Sequence, residues 1–366
     1  MKGLCAVVTA ALRALGVCAG CRGGGGEGGK GLVGVVLPAL PEERRSRDGA
    51  ALQGGLKKLG YTVGLEFSDD SAQTQARLIE DLIAVGARCL VIAPVDGEGL
   101  SDALAQAAAA KIPVIAYDRL IMKSPNVDYY VAFDDYAAGR QMGDILVTGL
   151  KLDAPAKKPV LIEVFGGSPE DGRAYKFYDG AMDRLKPYFD SGALKIGSGQ
   201  QGMDLAGTLR WSGEAAAARM ENLLAGYYTN QALDGILSPS DQISLSILGV
   251  CKAAGYGSAP EKPLPVAGGL GCTAGACKSI LGGEQYASVL MDTRLLARAA
   301  AELVDTIMQG KTPAGLDTAS CPNDSTRDGR AYAVPSALLK PVIVTRENLK
   351  KEVVDTGYRT ASEAGL

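Results

Sequence analysis

Pro113-Val114-Ile115-Ala116-Tyr117-Asp118-Arg119 decides the fold. Val114 to Ala116 is a short apolar run behind an Ala-rich helix, the pattern of a strand buried on both faces of a parallel sheet. An acid and a base stand side by side where the run ends. Open α/β sheets hold ligands outside the carboxyl ends of their strands, so Asp118 and Arg119 are candidate ligand contacts. The carboxylate accepts from hydroxyls and the guanidinium donates a planar fork. Adjacent, they suit a polyol ring better than a phosphate or a nucleobase. A surface turn with a weak ion pair would carry the same dipeptide, and the rest of the chain decides between the two.

Outward from this run, strands are expected over 32–37, 61–67, 89–93 and 127–133, with helices over 48–59, 71–85 and 100–110 between them. The pattern then restarts, with strands over 159–165, 194–199, 235–237 and 264–267 and helices over 174–185, 213–228 and 243–254. Such alternation with short connections predicts an α/β protein of two doubly wound parallel-sheet domains joined by a multi-strand hinge. A strand over 286–291 is expected to return to the first sheet, followed by a long helix over 295–309. The Pro-, Gly- and Asp-rich stretch 312–330 reads as a loop. The first lobe is then 32–134 plus about 290–320, and the second 135–289 plus about 330–350.

The chain has 366 residues, enough for two domains of ordinary size. A net charge of −3 with no basic run argues against nucleic-acid binding. Histidine is absent, which removes His-based triads and most zinc sites. Residues 1–20 have the shape of a secretory signal peptide: Lys2, then an apolar stretch interrupted by Arg13 and too short for a comfortable membrane span. Val17-Cys18-Ala19-Gly20-Cys21 resembles a relaxed bacterial lipobox, which implies a lipid on Cys21. An ordinary signal peptide cleaved nearby is the other reading. Glycine fills seven of the ten positions 22–31, so 21–31 reads as a flexible tether.

Catalytic signatures are missing. No dinucleotide or Walker glycine motif occurs, and Gly166-Gly167-Ser168-Pro169 is by itself a weak phosphate signal. Gly197-Ser198-Gly199 is part of a nucleophile motif with no histidine to activate Ser198. Cys89 reads as a buried small hydrophobe, and Cys272 and Cys277 could pair in an oxidising compartment. Binding is therefore favoured over catalysis, with no cofactor and no metal expected. Trp211, the single tryptophan, sits in Thr208-Leu209-Arg210-Trp211 just before a long helix. There it can stack on the apolar face of a sugar ring, or serve as a packing residue.

At this point many stretches match one family in order. They include Ala116-Tyr117-Asp118-Arg119-Leu120-Ile121, Phe133-Asp134, Phe165-Gly166-Gly167-Ser168-Pro169, Tyr178-Asp179-Gly180-Ala181-Met182, Gly207-Thr208-Leu209-Arg210-Trp211, Leu237-Ser238-Pro239 and Gly283-Glu284-Gln285-Tyr286. Over about residues 32–358 the chain resembles periplasmic sugar-binding proteins of the xylose- and galactose-binding group, of the multiple-sugar receptor type that feeds ABC transporters. The resemblance implies a type I periplasmic binding protein fold and a monosaccharide clamped between hinged lobes. It also implies a monomer, lipid-anchored in the periplasm or at the cell surface, that serves an ABC permease and its ATPase. Carried over by position, Asp118 and Arg119 grip ring hydroxyls and Arg44 reaches in from the loop after the first strand. Trp211 stacks, and Asp134 and Glu163 match acidic positions near the cleft; Arg173 and Asp241, which are not carried over from the family, are the remaining candidate ligand-binding residues.

The departures from the family fall mostly in the second lobe. Arg45 stands where an aromatic is common, Asp171-Gly172-Arg173 where Asp-Asn-Asn is, and Gly268-Gly269-Leu270-Gly271 where Ser-Gly-Gln-Asp is. Met291 replaces a lysine before Asp292-Thr293. Each ligand hydroxyl left unpaired in a closed cleft would cost about 1–3 kcal/mol. With Arg45 and Arg173 adding positive charge, an acidic or phosphorylated sugar becomes an alternative ligand. A lipoprotein that signals through a membrane receptor is the alternative to transport, and a sugar-phosphate enzyme is a third reading.

Overall fold

The computed structural model describes residues 29–38, 43–69, 71–154 and 158–366, the stretch 43–47 in its backbone. The expected signal peptide, Cys21 and most of the tether lie outside the described residues. The first half runs β1 (Leu32–Leu37), α1 (Glu43–Lys58), β2 (Thr62–Phe67), α2 (Ala72–Ala84), β3 (Ala87–Ile92), α3 (Ser101–Ala109), β4 (Val114–Tyr117) and β5 (Tyr129–Phe133). Next come α4 (Asp135–Gly149), β6 (Val160–Val164), α5 (Gly172–Asp190), β7 (Leu194–Ile196) and α6 (Met203–Ala206). A 3₁₀ turn (Leu209–Trp211) leads into α7 (Gly213–Tyr227), β8 (Gly235–Leu237), α8 (Asp241–Ala253), β9 (Val266–Ala267), α9 (Ala274–Gly282) and β10 (Ala287–Leu290). The chain ends with α10 (Thr293–Met308), β11 (Pro322–Arg327), β12 (Arg330–Ala333), β13 (Ser336–Leu339), β14 (Val342–Thr345) and α11 (Ala361–Ala364).

Two parallel sheets form the lobes, in the order β13-β5-β4-β3-β1-β2 and β7-β6-β8-β9. The apolar runs explain the first: Val33, Val35, Leu90, Val91, Ile115 and Ala116 are fully buried, which only a sheet covered on both faces requires. Strand ends lead into capped helices. Asp134, Asp171, Ser240, Thr273 and Asp292 each accept from a backbone N–H in the first turn of the helix that follows, so capped helix starts gather at the carboxyl ends of the strands. In the second lobe α4 and α5 pack backbone to backbone. A Cβ on Gly139 would stand 2.1 Å from the Phe177 carbonyl oxygen, and one on Gly180 2.2 Å from that of Tyr136. This contact seats the second and third turns of α5 against the first two turns of α4.

The chain crosses between lobes after β5, after β10 and between β13 and β14. Three expectations are corrected here. The strand over 286–291 does not return to the first sheet. As β10 it pairs antiparallel with β14, and its Val289 bonds to Gly269 and Gly271 of the second lobe. The free edge beside β5 is taken by β13, so the stretch 330–350 divides between the lobes instead of belonging to the second. The stretch 312–330, read as loop, contains β11 and leads through a tight hairpin into β12, with Asp328 and Gly329 both at positive φ. An Asp-Gly pair is a hairpin signal, here masked by the polar sequence of β11. No helix among the described residues is long and apolar enough to cross a membrane.

Candidate ligand-binding cleft

A cleft of about 920 Å³ lies between the lobes at the strand ends. From the first lobe it is lined by Tyr117, Asp118 and Arg119, and from the second by Asp171, Arg173, Phe177, Arg210 and Trp211. The segment between β14 and the carboxyl terminus closes one side with Tyr358, Arg359 and Glu363.

Asp118 sits at φ +61°, a left-handed conformation, with the Arg119 N–H donating to the Tyr117 carbonyl at 2.6 Å. This is a tight three-residue turn, strained by roughly 1–3 kcal/mol for a non-glycine residue. It is fixed from both sides: the Asp118 N–H donates to Val131 at 2.9 Å, and the Tyr130 hydroxyl donates to the Asp118 carbonyl at 3.0 Å. The strained turn places the carboxylate beyond the end of β4 instead of along the sheet.

Arg173 comes from the first turn of α5. Its Nε and Nη2 donate to the two Asp135 oxygens at 2.9 and 2.7 Å, and its Nη1 reaches Asp118 at 3.4 Å. Burial opposes its charge, but the carboxylates of Asp118 and Asp135 outweigh that and hold its pKa above the ordinary arginine value. The guanidinium lies 5.6 Å from the Phe177 ring centre, and Phe177 meets Trp211 edge-on at 6.4 Å. Trp211 is half-buried, in a 3₁₀ turn where both Arg210 and Trp211 have positive φ. The turn is held by Ser168, whose hydroxyl accepts from the Arg210 N–H at 3.1 Å, and by the Gly167 carbonyl, which accepts from Thr208 at 2.9 Å. The glycine turn that offered a weak phosphate signal is therefore the seat of the tryptophan.

Of the expected site residues, Asp118, Arg119, Arg173 and Trp211 come together in the cleft; Asp134, Glu163 and Asp241 are not among its lining. Asp134 caps α4 through the Ala137 N–H at 2.8 Å. Glu163 is fully buried, accepting from the Ser198 N–H and hydroxyl at 2.8 and 2.7 Å and from the Tyr228 hydroxyl at 2.6 Å. Asp241 is fully buried too, accepting from Thr273 N–H, Ser288 hydroxyl and Gln285 amide; burial pushes its pKa up despite these donors. Arg44 lies in the first turn of α1 in backbone, and its side chain lies outside the described residues. Cys272 and Cys277 are buried free thiols, not a disulfide.

Sequence reasoning missed Phe177, Arg210 and the carboxyl-terminal segment. In that segment the Tyr358 hydroxyl donates to Gly271 at 3.1 Å and Arg359 Nε to Cys272 at 2.6 Å. The guanidinium groups of Arg294 and Arg359 lie 5.4 and 5.3 Å from the Tyr358 ring centre. One signal was available: Thr360-Ala361-Ser362-Glu363 has the spacing of a capping box, and both of its reciprocal bonds are formed.

Two hinged parallel-sheet lobes around a polar cleft with one aromatic wall define a cleft-binding protein of the periplasmic type. Residues 33–312 match the model of the periplasmic binding protein domain, and the chain belongs to that family. It is 44% identical over 328 residues to the multiple sugar-binding periplasmic receptor ChvE of Rhizobium radiobacter, covering 89% of this chain and 90% of that protein. It is 30% identical over 321 residues to the D-xylose-binding periplasmic protein of Escherichia coli K12, covering 88% of each. Among solved structures, an ABC transporter solute binding protein from Clostridium phytofermentans with bound β-D-glucose is similar, at 38% identity and a TM-score of 0.75, over 91% of this chain and 99% of that one.

Proposed function

We propose that the protein binds a monosaccharide in the cleft between its lobes and delivers it to an ABC importer. One observation carries this reading: Asp118 and Arg119 of the first lobe and Trp211 of the second line the same cleft, so ring hydroxyls and a ring face are met together. Relatives named for sugar binding and a similar protein solved with glucose support it. Closure of the lobes as rigid bodies presents the loaded form to a permease and its ATPase. The anchor belongs to the same proposal: a lipid on Cys21 tethers a monomer to the membrane, and the lipobox-like sequence before Cys21 supports it.

A second reading, an acidic sugar, is favoured by Arg119 and Arg210. Both line the cleft, and neither guanidinium has an ion pair among the described residues. Arg173 does not add to this, because two carboxylates already meet its charge. A thermal-shift screen over D-glucose, D-xylose, D-glucuronate and glucose 6-phosphate tests both readings, since a ligand that binds only the folded state raises the melting temperature. A rise with the neutral sugars supports the first, a rise confined to the anions the second, and no rise with any sinks both.

A further inference from the structure

We propose that Arg173 is a cross-lobe latch and a positioning residue for Asp118, holding the two halves of the cleft together before a ligand arrives. Its geometry is asymmetric. Within the second lobe, Arg173 forks onto both oxygens of Asp135 at 2.9 and 2.7 Å, the full-strength range for charge-assisted bonds. Asp135 is itself buried and lies in the first turn of α4, locked to α5 by the glycine contact. Toward the first lobe only Nη1 reaches out, to Asp118 at the longer distance of 3.4 Å.

The weak link is therefore the one between lobes. When the lobes part, Arg173 stays on α5 with Asp135, Phe177 and Trp211, and the contact with Asp118 breaks. When they meet, the same guanidinium draws the Asp118 carboxylate toward the wall that carries Trp211. A planar five-donor fork is needed to hold Asp135 and still reach Asp118. An amide cannot do both.

The latch matters for binding only if the cleft is the ligand site proposed above; its existence is measured with no ligand present. Small-angle scattering of the full-length mature protein, without sugar, compares the parent with Arg173→Ala and Arg173→Gln. Both variants are expected to show a larger radius of gyration than the parent, with unchanged far-UV circular dichroism. If Arg173→Ala fails that folding check, Arg173→Gln, which keeps a polar side chain and loses the charge and the fork, carries the comparison. A folded variant with the parent's radius of gyration overturns the latch and leaves the sugar reading standing. Expanded variants in a protein that binds no sugar would support the latch and sink that reading alone.

Discussion

Gly167 and Trp211 share one space: a Cβ built on Gly167 would stand 2.2 Å from Cη2 of the indole and 2.5 Å from Cζ2. The ring lies against bare backbone, and Phe177 meets it edge-on. Gly167→Ala should displace the indole and weaken ligand binding. Trp211→Ala should weaken it by roughly ten- to thousand-fold, from about 1.5–4 kcal/mol of lost stacking and burial. Calorimetric titration with a sugar identified by thermal shift checks both. Normal affinity in the two variants would make Trp211 a packing residue.

Asp118 separates binding from stability. Asp118→Ala and Asp118→Gly should both abolish binding, because either leaves ligand hydroxyls unpaired in a closed cleft. The two should differ in stability. At φ +61° alanine keeps the left-handed strain and glycine relieves it, so the glycine variant should be more stable by about 1 kcal/mol. Denaturant titration reads this difference. Equal stabilities would mean that the turn relaxes on substitution.

Glu163 should behave as a structural residue. Glu163→Gln sets an amide N–H₂ against the Ser198 and Tyr228 donors and should cost about 1–3 kcal/mol of stability. Sugar affinity should stay within a factor of about two, since Glu163 lies outside the cleft. A variant as stable as the parent but impaired in binding would return Glu163 to the site.

These residues show what the sequence could reveal. Apolar runs such as Val114 to Ala116 bury both faces, so the two sheets and the crossing after β5 were legible, as were an acid–base pair at a strand end and a lone tryptophan before a helix. Glu163, Asp134 and Asp241 follow the same rule of carboxylates near strand ends, yet none lines the cleft. Their partners decide this, and most are remote: Glu163 is satisfied by residues 35 and 65 positions away, and Asp241 by Ser288 47 positions away. Spacing along the chain does not carry that information. The role of Arg173 was half legible, because its positive charge shows in sequence and the two acids that neutralise it do not. The placement of the carboxyl-terminal segment beside the cleft depends on the Tyr358 and Arg359 bonds to the Gly271-Cys272 turn, 87 positions earlier.

The central claim, one sugar held by both lobes, is tested most directly by titrating Trp211 emission with D-glucose, D-xylose and D-glucuronate. The protein has a single tryptophan, so the signal reports one site. The account predicts a saturable change with at least one of these sugars at the same concentrations that raise the melting temperature. A sugar that raises the melting temperature at saturation and leaves the emission unchanged would contradict it, because the ligand would then lie away from the wall formed by Trp211, Phe177 and Arg173.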